Sequence, residues 1–172
     1  AGAPENDSYG FLVGPYATAL LDDLETPGGW KAGWTAGAPG DDAVGGAWEW
    51  GLPQSTFNAW RGVQPGEDHS ATGVNCFVTG AAAGAAFTDS DVDGGRTTLL
   101  SPVFDLASLQ DPVIRYFRWY SNNLGTDPRG DRWRVDVSGD GGATWVGVES
   151  TDVPSNFWKK IEFKVSNYVV PS

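Results

Sequence analysis

The sequence predicts an all-β domain, and three observations lead to this prediction. Trp133, Val135 and Val137 alternate with charged residues, and the segment 161–165 repeats the alternation. A period of two is typical of a strand that buries one face. Val113–Tyr120 is almost continuously apolar or aromatic, which favours a central strand. The 24 Gly and 11 Pro are scattered as turn residues, and no segment carries a helical apolar stripe.

The remaining elements are shorter, and turn residues set their limits. We expect residues 1–16 to form a flexible N-terminal segment and residues 17–172 to form one domain, because a chain of 172 residues suits a single core. The region 58–70 is rich in Gly and Pro and is predicted to be a long loop. Further strands are predicted at 17–21, 47–51, 74–79, 97–100 and 144–148.

Composition restricts the function classes. With a net charge of −11, the chain would repel a phosphate backbone or an anionic membrane surface, so neither nucleic acid nor a membrane is an expected partner. Excess carboxylate instead favours solubility and divalent cations. Cys76 is the only cysteine, which excludes an internal disulfide. Since the sequence contains no Met and no long apolar run, we expect an exported, processed chain without a membrane helix.

The sharpest motif is the acidic segment Asp89–Gly94, which has the pattern D-x-D-x-D-G. Carboxylates at alternate positions of a curled loop can provide several of the oxygens that calcium requires. The pattern matches the first half of an EF-hand loop, but Leu100 stands where the bidentate Glu would be. The other oxygens must therefore come from elsewhere, and the alternative is a solvated acidic turn. We predict one calcium ion, with ligands from Asp89, Asp91 and Asp93 and from the segment that contains Asp22, Asp23 and Glu25.

A second motif, Ser138–Trp145, matches the Asp-box pattern S-x-D-x-G-x-T-W. In such a turn the Asp140 carboxylate accepts bonds from nearby backbone groups, a glycine takes a positive φ and Trp145 closes the hairpin. We interpret this box as a folding device and not as a site.

Motifs for catalysis are scarce. His69 is the only histidine, which excludes a zinc site with two histidines from this chain, and no G-x-S-x-G elbow is present. A Cys76–His69 pair is conceivable, but an apolar strand would raise the pKa of the Cys76 thiol and reduce its reactivity. A glycosidase needs only two carboxylates in its active site, and this chain has 22 acidic residues. The sequence does not show which two of them would lie close together. We therefore expect no active site in this chain.

The aromatic residues suggest a different kind of site. Most of the nine tryptophans must fill the core, but indole faces also match the C–H faces of sugar rings. The rings nearest to predicted loops are Trp30, Trp60 and Tyr120. Together with His69, they are the candidate ligand-binding residues.

The order of several short motifs resembles a known family. The motifs are Asp22–Glu25 with Gly29–Trp30, Gly40–Ala43 with Trp48–Glu49, Gln64–His69, Asn75–Gly80, Asp91–Gly95, Leu100–Leu106, Arg118–Ser121 and Ser138–Trp145. Between Leu21 and Val169, this order is similar to the MAM-like accessory domain of secreted bacterial metallopeptidases, of the zinc-carboxypeptidase and immune-inhibitor-A types.

The resemblance implies a two-sheet antiparallel jelly-roll sandwich, MAM-like or galactose-binding-like, with a structural calcium and no chemistry of its own. It also implies secretion by a bacterium, with the catalytic domain of a parent hydrolase as partner, or a glycan or protein surface. Similar domains continue beyond the equivalent of Tyr168, so we expect this domain to lack its last strands and to accept a complementing strand from another chain. The alternatives are a carbohydrate-binding module and a glycan-active hydrolase.

Overall fold

A computed structural model describes residues 17–25, 33–81, 86–89 and 91–172. The described chain forms short strands and one 3-10 helix, so the predicted all-β class is confirmed. The strands are β1 (Thr35–Ala36), β2 (Trp48–Gly51), β3 (Thr56–Asn58), β4 (Arg61–Gln64), β5 (Cys76–Thr79), β6 (Leu99–Leu100), β7 (Val113–Tyr120), β8 (Trp133–Val137), β9 (Val146–Thr151) and β10 (Ser155–Lys164). The 3-10 helix is Val165–Asn167.

The strands of the described chain associate as antiparallel pairs. Two of the pairs, β3–β4 and β8–β9, are hairpins between consecutive strands. The other pairs, β1–β6, β2–β5 and β7–β10, join segments that are distant in sequence. Several small antiparallel sheets with almost no helix give the chain a β-sandwich character.

The sheet β7–β10 has the longest strands and lies between the hairpins β3–β4 and β8–β9. On one face of β7, Tyr120 packs against Trp133 of β8, with ring centroids 5.8 Å apart. On the other face, the indole N–H of Trp119 donates to the carbonyl of Val63 in β4 at 2.8 Å. Asn156 of β10 also donates to the carbonyl of Gly62, at 2.8 Å. The period of two along β7 therefore directs alternate side chains to different neighbours.

A buried ion pair joins β7 to β9. Arg118 is 3% exposed. Its guanidinium donates to both carboxylate oxygens of Glu149 and, at 2.8 Å, to the hydroxyl of Ser155. The hydroxyl of Tyr116 donates to the same carboxylate at 2.8 Å. The charge that interrupts the apolar run of β7 is thus satisfied inside the protein, as a buried charge requires.

The buried apolar residues of the described chain are few and small. They include Cys76 and Val78 of β5, together with Val165, the first residue of the 3-10 helix. Cys76 was expected to be a small apolar residue in a strand, and this is confirmed.

Some predicted elements differ from the structure. The strands predicted at 47–51, 113–120 and 133–137 form with almost the expected bounds. The central position predicted for Val113–Tyr120 is wrong in the described ranges, where β7 pairs with β10 alone. The predicted strand at 17–21 is wrong: this segment forms no strand, and Leu20 and Leu21 are 63% and 80% exposed. The predicted loop at 58–70 is also wrong in its first part, where β3 and β4 form a hairpin. Ala59 adopts a φ of 54° at the hairpin tip. This conformation is usually adopted by Gly or Asn, and because an alanine stands here, the sequence gave no sign of a turn.

Candidate ligand-binding cleft

A cleft of about 440 Å³ opens between the sheet β7–β10 and the segment that follows β4. Its volume is within the range of roughly 300–1,000 Å³ that is usual for small-molecule sites. The lining residues are Ser55, Pro65, Gly66, Glu67, Asp68, Trp119 and Trp158.

Two tryptophans form the aromatic wall of the cleft. Trp119 lies on β7 and Trp158 on β10, and their rings meet edge to face, with centroids 6.2 Å apart and planes at 77°. The register of β10 shifts between Ser155 and Lys159, immediately around Trp158. Irregularities of this kind re-aim a side chain and are common beside functional sites. The pair therefore forms a corner of two nearly perpendicular aromatic surfaces.

Hydrogen bonds fix the orientation of both rings. The N–H of Trp158 donates to the carbonyl of Glu67 at 3.2 Å, and the N–H of Trp119 donates to Val63. The Trp119 ring also lies over Gly62, where an added Cβ would be 3.7 Å from the ring. Because the polar atom of each indole is bonded within the protein, the ring surfaces are what the cleft presents to a ligand.

The segment 65–68 forms another part of the lining and contains two acidic residues, Glu67 and Asp68. The carboxylate of Asp68 accepts hydrogen bonds from the backbone N–H and the hydroxyl of Ser70, which closes a tight turn. The start of the segment is held by Gln64, whose amide donates to the carbonyls of Gln54 and Gly80 at 3.0 and 2.9 Å. Glu67 and Asp68 are thus placed on a loop whose two ends are both anchored.

His69 borders this cleft. Its ring stacks on Phe117 with centroids 3.4 Å apart and planes at 16°, and it meets Trp158 edge to face at 6.2 Å. The four rings of Trp119, Trp158, His69 and Phe117 therefore form a continuous row along the same face of the sheet. Among the predicted ligand-binding residues that lie in the described ranges, His69 is the one beside the cleft.

The other predicted ligand-binding rings lie elsewhere. Trp60 is 82% exposed at the tip of the hairpin β3–β4, with the guanidinium of Arg61 5.1 Å from its ring. Tyr120 faces Trp133 on the opposite side of β7, where burial and then the charge of Asp131 raise the pKa of its hydroxyl to about 12. Trp30 lies outside the described residues.

Two carboxylates of the predicted calcium loop interact electrostatically with an aspartate that the sequence did not indicate. Partial desolvation raises the pKa of Asp91, and so do the charges of Asp131 and Asp93. The pKa of Asp131 is raised by partial desolvation and by the charges of Asp93 and Asp127. The charges of Asp91, Asp93 and Asp131 therefore act on one another between the acidic loop and the segment before β8.

Backbone contacts hold this acidic loop in place. The N–H of Val44 donates to the carbonyl of Asp93 at 2.9 Å. Gly46 has a φ of 69°, and an added Cβ would be 2.5 Å from the carbonyl oxygen of Asp91, so only glycine fits there. On the other side, the buried amide of Asn122 donates to the carbonyl of Asp131 at 2.8 Å. Elements distant in sequence thus position the carboxylates.

The remaining predicted metal ligands make other bonds. The carboxylate of Asp89 accepts the N–H of Ala86 at 2.8 Å. The carboxylate of Asp23 accepts the N–H of Glu25 at 3.2 Å. Glu25 accepts the backbone N–H groups of Val74 and Asn75 and the amide of Asn75. In the described ranges, no three acidic, histidine or cysteine side chains are arranged to hold a metal ion by themselves.

Cys76 and Glu25 have surroundings that do not favour catalysis. Burial raises the pKa of Cys76 to about 12, and the charges of Asp68 and Glu25 act in the same direction. The backbone N–H of Asn75 is the main reason that the pKa of Glu25 lies below its ordinary value. A thiol that resists ionisation is a poor nucleophile, and a carboxyl group that ionises easily is a poor general acid.

Comparison of the chain with protein-family models, with curated proteins and with solved structures gave no match. The resemblance to MAM-like accessory domains therefore stays a prediction. Along the described ranges there is no helix with the length and apolar character needed to cross a bilayer.

Sequence reasoning missed Trp119, Trp158 and Glu67 as cleft residues. Trp119 was part of a predicted central strand, and Trp158 precedes the alternating segment 161–165. Both were therefore assigned to the core with most other tryptophans. The available signal was the acidic, Gly- and Pro-containing segment Gln64–His69, which is typical of a loop beside a binding site.

Proposed function

We propose that this chain is a non-catalytic accessory domain of a secreted bacterial hydrolase of the metallopeptidase type, built as a two-sheet jelly roll and stabilised by calcium. The observation that carries the proposal is the cleft, which two oriented indoles line together with the acidic residues Glu67 and Asp68. Such a surface can recognise a ligand by stacking and hydrogen bonding without reacting with it. The assignment to a hydrolase of this type rests on the family resemblance.

The surroundings of the reactive residues support a non-catalytic role. Cys76 is buried, and its thiol resists ionisation. His69 lies flat on Phe117, and Glu25 is bonded to backbone N–H groups. None of these arrangements resembles a nucleophile held by a base that is oriented by a third group.

The proposed calcium would bind between the acidic loop and the segment before β8. Asp91, Asp93 and Asp131 would provide carboxylate oxygens, the ligand type that calcium prefers. The mutual repulsion of these carboxylates fits this role, because a divalent cation would attract all three and so offset their repulsion. As placed in the described chain, the three carboxylates do not form a group that could hold an ion. Calcium would have to draw them together, and carbonyl or water oxygens would complete the shell. Bound calcium would stabilise the folded chain.

Two partners are proposed. One is the catalytic domain of the parent protein. The other is a complementing strand from another chain, which would add to an edge of the sheet β7–β10. Within the described ranges, each of these strands pairs only with the other, so each has an edge with free backbone groups.

Activity assays test the non-catalytic assignment. The purified chain is incubated with chromogenic peptide and glycoside substrates, beside His69→Ala and Glu67→Gln variants. We expect all three proteins to give only the background rate. Turnover by the native chain that either substitution abolishes would contradict the proposal and favour a glycan-active or peptide-active hydrolase.

A carbohydrate-binding module is a second candidate. The perpendicular pair Trp119–Trp158 favours it, because two indole surfaces in one cleft are suited to hold a sugar ring.

A further inference from the structure

We propose that the cleft between Trp119, Trp158 and the segment Pro65–Asp68 binds an uncharged hexopyranose unit of a polysaccharide. This inference rests on the proposed function, because it identifies the ligand class of a non-catalytic binding domain. Three features carry it. They are the geometry of the two rings, the negative charge of Glu67 and Asp68, and the indole N–H groups, which already donate to backbone carbonyls.

The ring geometry suits a flat ligand with an apolar face. The planes of Trp119 and Trp158 differ by 77°, so one ring can stack on a sugar face while the other contacts its edge. A pyranose presents axial C–H groups on its faces and hydroxyl groups around its edge. The cleft of about 440 Å³ is large enough for a small ring and remains open to solvent, so a chain can continue beyond it.

The lining of the cleft provides acceptors for hydroxyl groups. Glu67, Asp68 and Ser55 line the cleft, and their side chains carry acceptor oxygens; the Asp68 carboxylate already accepts two bonds from Ser70. Hydrogen bonds to ionised acceptors are stronger than those between neutral groups. Since each indole N–H already donates to a backbone carbonyl, the carboxylates are the polar groups that would select a sugar.

Charge restricts which sugars fit. A ligand with a carboxylate or sulfate would lie near the acidic residues Glu67 and Asp68 of a protein with a net charge of −11. Uronates and sulfated glycans are therefore excluded by repulsion. A cationic peptide would be attracted by the charge, but its affinity would fall steeply with added salt. The affinity of a neutral sugar would change little with salt.

Binding is measured with neutral hexasaccharides of β-1,4-glucan, β-1,4-mannan and β-1,4-galactan, by tryptophan fluorescence and calorimetry. Polygalacturonate and a lysine-rich peptide are measured in parallel at low and high salt. We expect at least one neutral hexasaccharide to bind with an affinity that salt leaves unchanged, and polygalacturonate not to bind. Failure of all three hexasaccharides, or tighter binding of the peptide at low salt, would overturn the proposed ligand class.

Variants then test the location of the site. Trp158→Ala should lower the affinity about tenfold or more, as expected for a central aromatic contact. Glu67→Gln keeps the fold and both indoles, and should lower the affinity several-fold by removing a charged acceptor. Trp145→Ala is the matched control, because Trp145 is 51% exposed in the turn between β8 and β9 and does not line the cleft. Circular dichroism verifies that each variant is folded.

The outcomes separate this inference from the proposed function. Equal losses in Trp158→Ala and Trp145→Ala, or full affinity in Glu67→Gln, would overturn the proposed cleft. Release of new reducing ends during the titration would instead overturn the non-catalytic assignment while leaving the sugar site in place.

Discussion

Replacing Glu149 tests whether the buried pair with Arg118 holds β9 against β7. The carboxylate is the counter-ion of a guanidinium that is 3% exposed, whereas the Glu149 side chain itself is 15% exposed. In Glu149→Gln the guanidinium keeps its bond to Ser155 but loses its counter-ion and cannot be rehydrated. Removing one partner of a buried pair costs about 3–5 kcal/mol. We therefore expect the free energy of unfolding of Glu149→Gln to fall by about 3 kcal/mol or more.

Replacing Arg118 should lower the free energy of unfolding by less than replacing Glu149. In Arg118→Met, the Glu149 carboxylate retains the hydroxyl of Tyr116 and some contact with water. The double variant should lose about 2 kcal/mol less than the sum of the single losses, because it leaves no buried charge unpaired. Urea unfolding at pH 7, followed by tryptophan fluorescence and circular dichroism, measures all three variants.

A surface arginine on the same strand provides the control. Arg115 of β7 pairs with Glu162 of β10, but its side chain is 47% exposed. Arg115→Met should therefore cost less than about 1 kcal/mol. If Glu149→Gln costs no more than Arg115→Met, or if the single losses add in the double variant, the pair does not stabilise the contact between β7 and β9.

The pair also predicts a pH dependence. Burial raises the pKa of Glu149, but the bonds from Arg118 and Tyr116 outweigh this effect and hold the pKa below its ordinary value of 4.5. Because the unfolded chain then binds the proton more tightly, the stabilisation is fully present above pH 4.5 and is lost as the pH falls through the folded pKa. The difference in stability between the native chain and Glu149→Gln should shrink below pH 4.5.

Two further predictions concern acidic residues. Calcium at millimolar concentration should raise the melting temperature of the native chain but not that of Asp91→Asn. In EDTA the variant should melt at a higher temperature than the native chain, because the substitution relieves repulsion with Asp93 and Asp131. Melting temperatures of the native chain that do not differ between calcium and EDTA would contradict this prediction. Asp140→Ala should lower the melting temperature at pH 7, because Asp140 accepts bonds from Thr144 and Ser138 that hold its pKa at about 2. Since that pKa is below the ordinary value of 3.8, the difference should persist down to about pH 4 and shrink as the pH falls toward about 2. A difference that stays constant over this range would refute the prediction.

The sequence alone determined the strands whose pattern is local. Val113–Tyr120 and Trp133–Val137 form where they were predicted, because their apolar residues recur with the period of a strand. The Asp-box turn was also predictable, since the bonds of Asp140 to Ser138 and Thr144 span only a few residues. The prediction of a strand at 17–21 failed, because this segment has the composition of a strand but pairs with no other strand in the structure.

The candidate sites were decided by the tertiary structure. Trp119 meets Trp158 only because β7 pairs with β10, and the cleft lining at Glu67 is fixed by a bond between residues that are distant in sequence. The charge of Asp131 likewise acts on Asp91 of the acidic loop, whereas Asp23 and Glu25 are engaged in other bonds. Local patterns specify which face of a strand is apolar. They do not specify which strand it will pair with or in what register, because that depends on the packing of the whole chain.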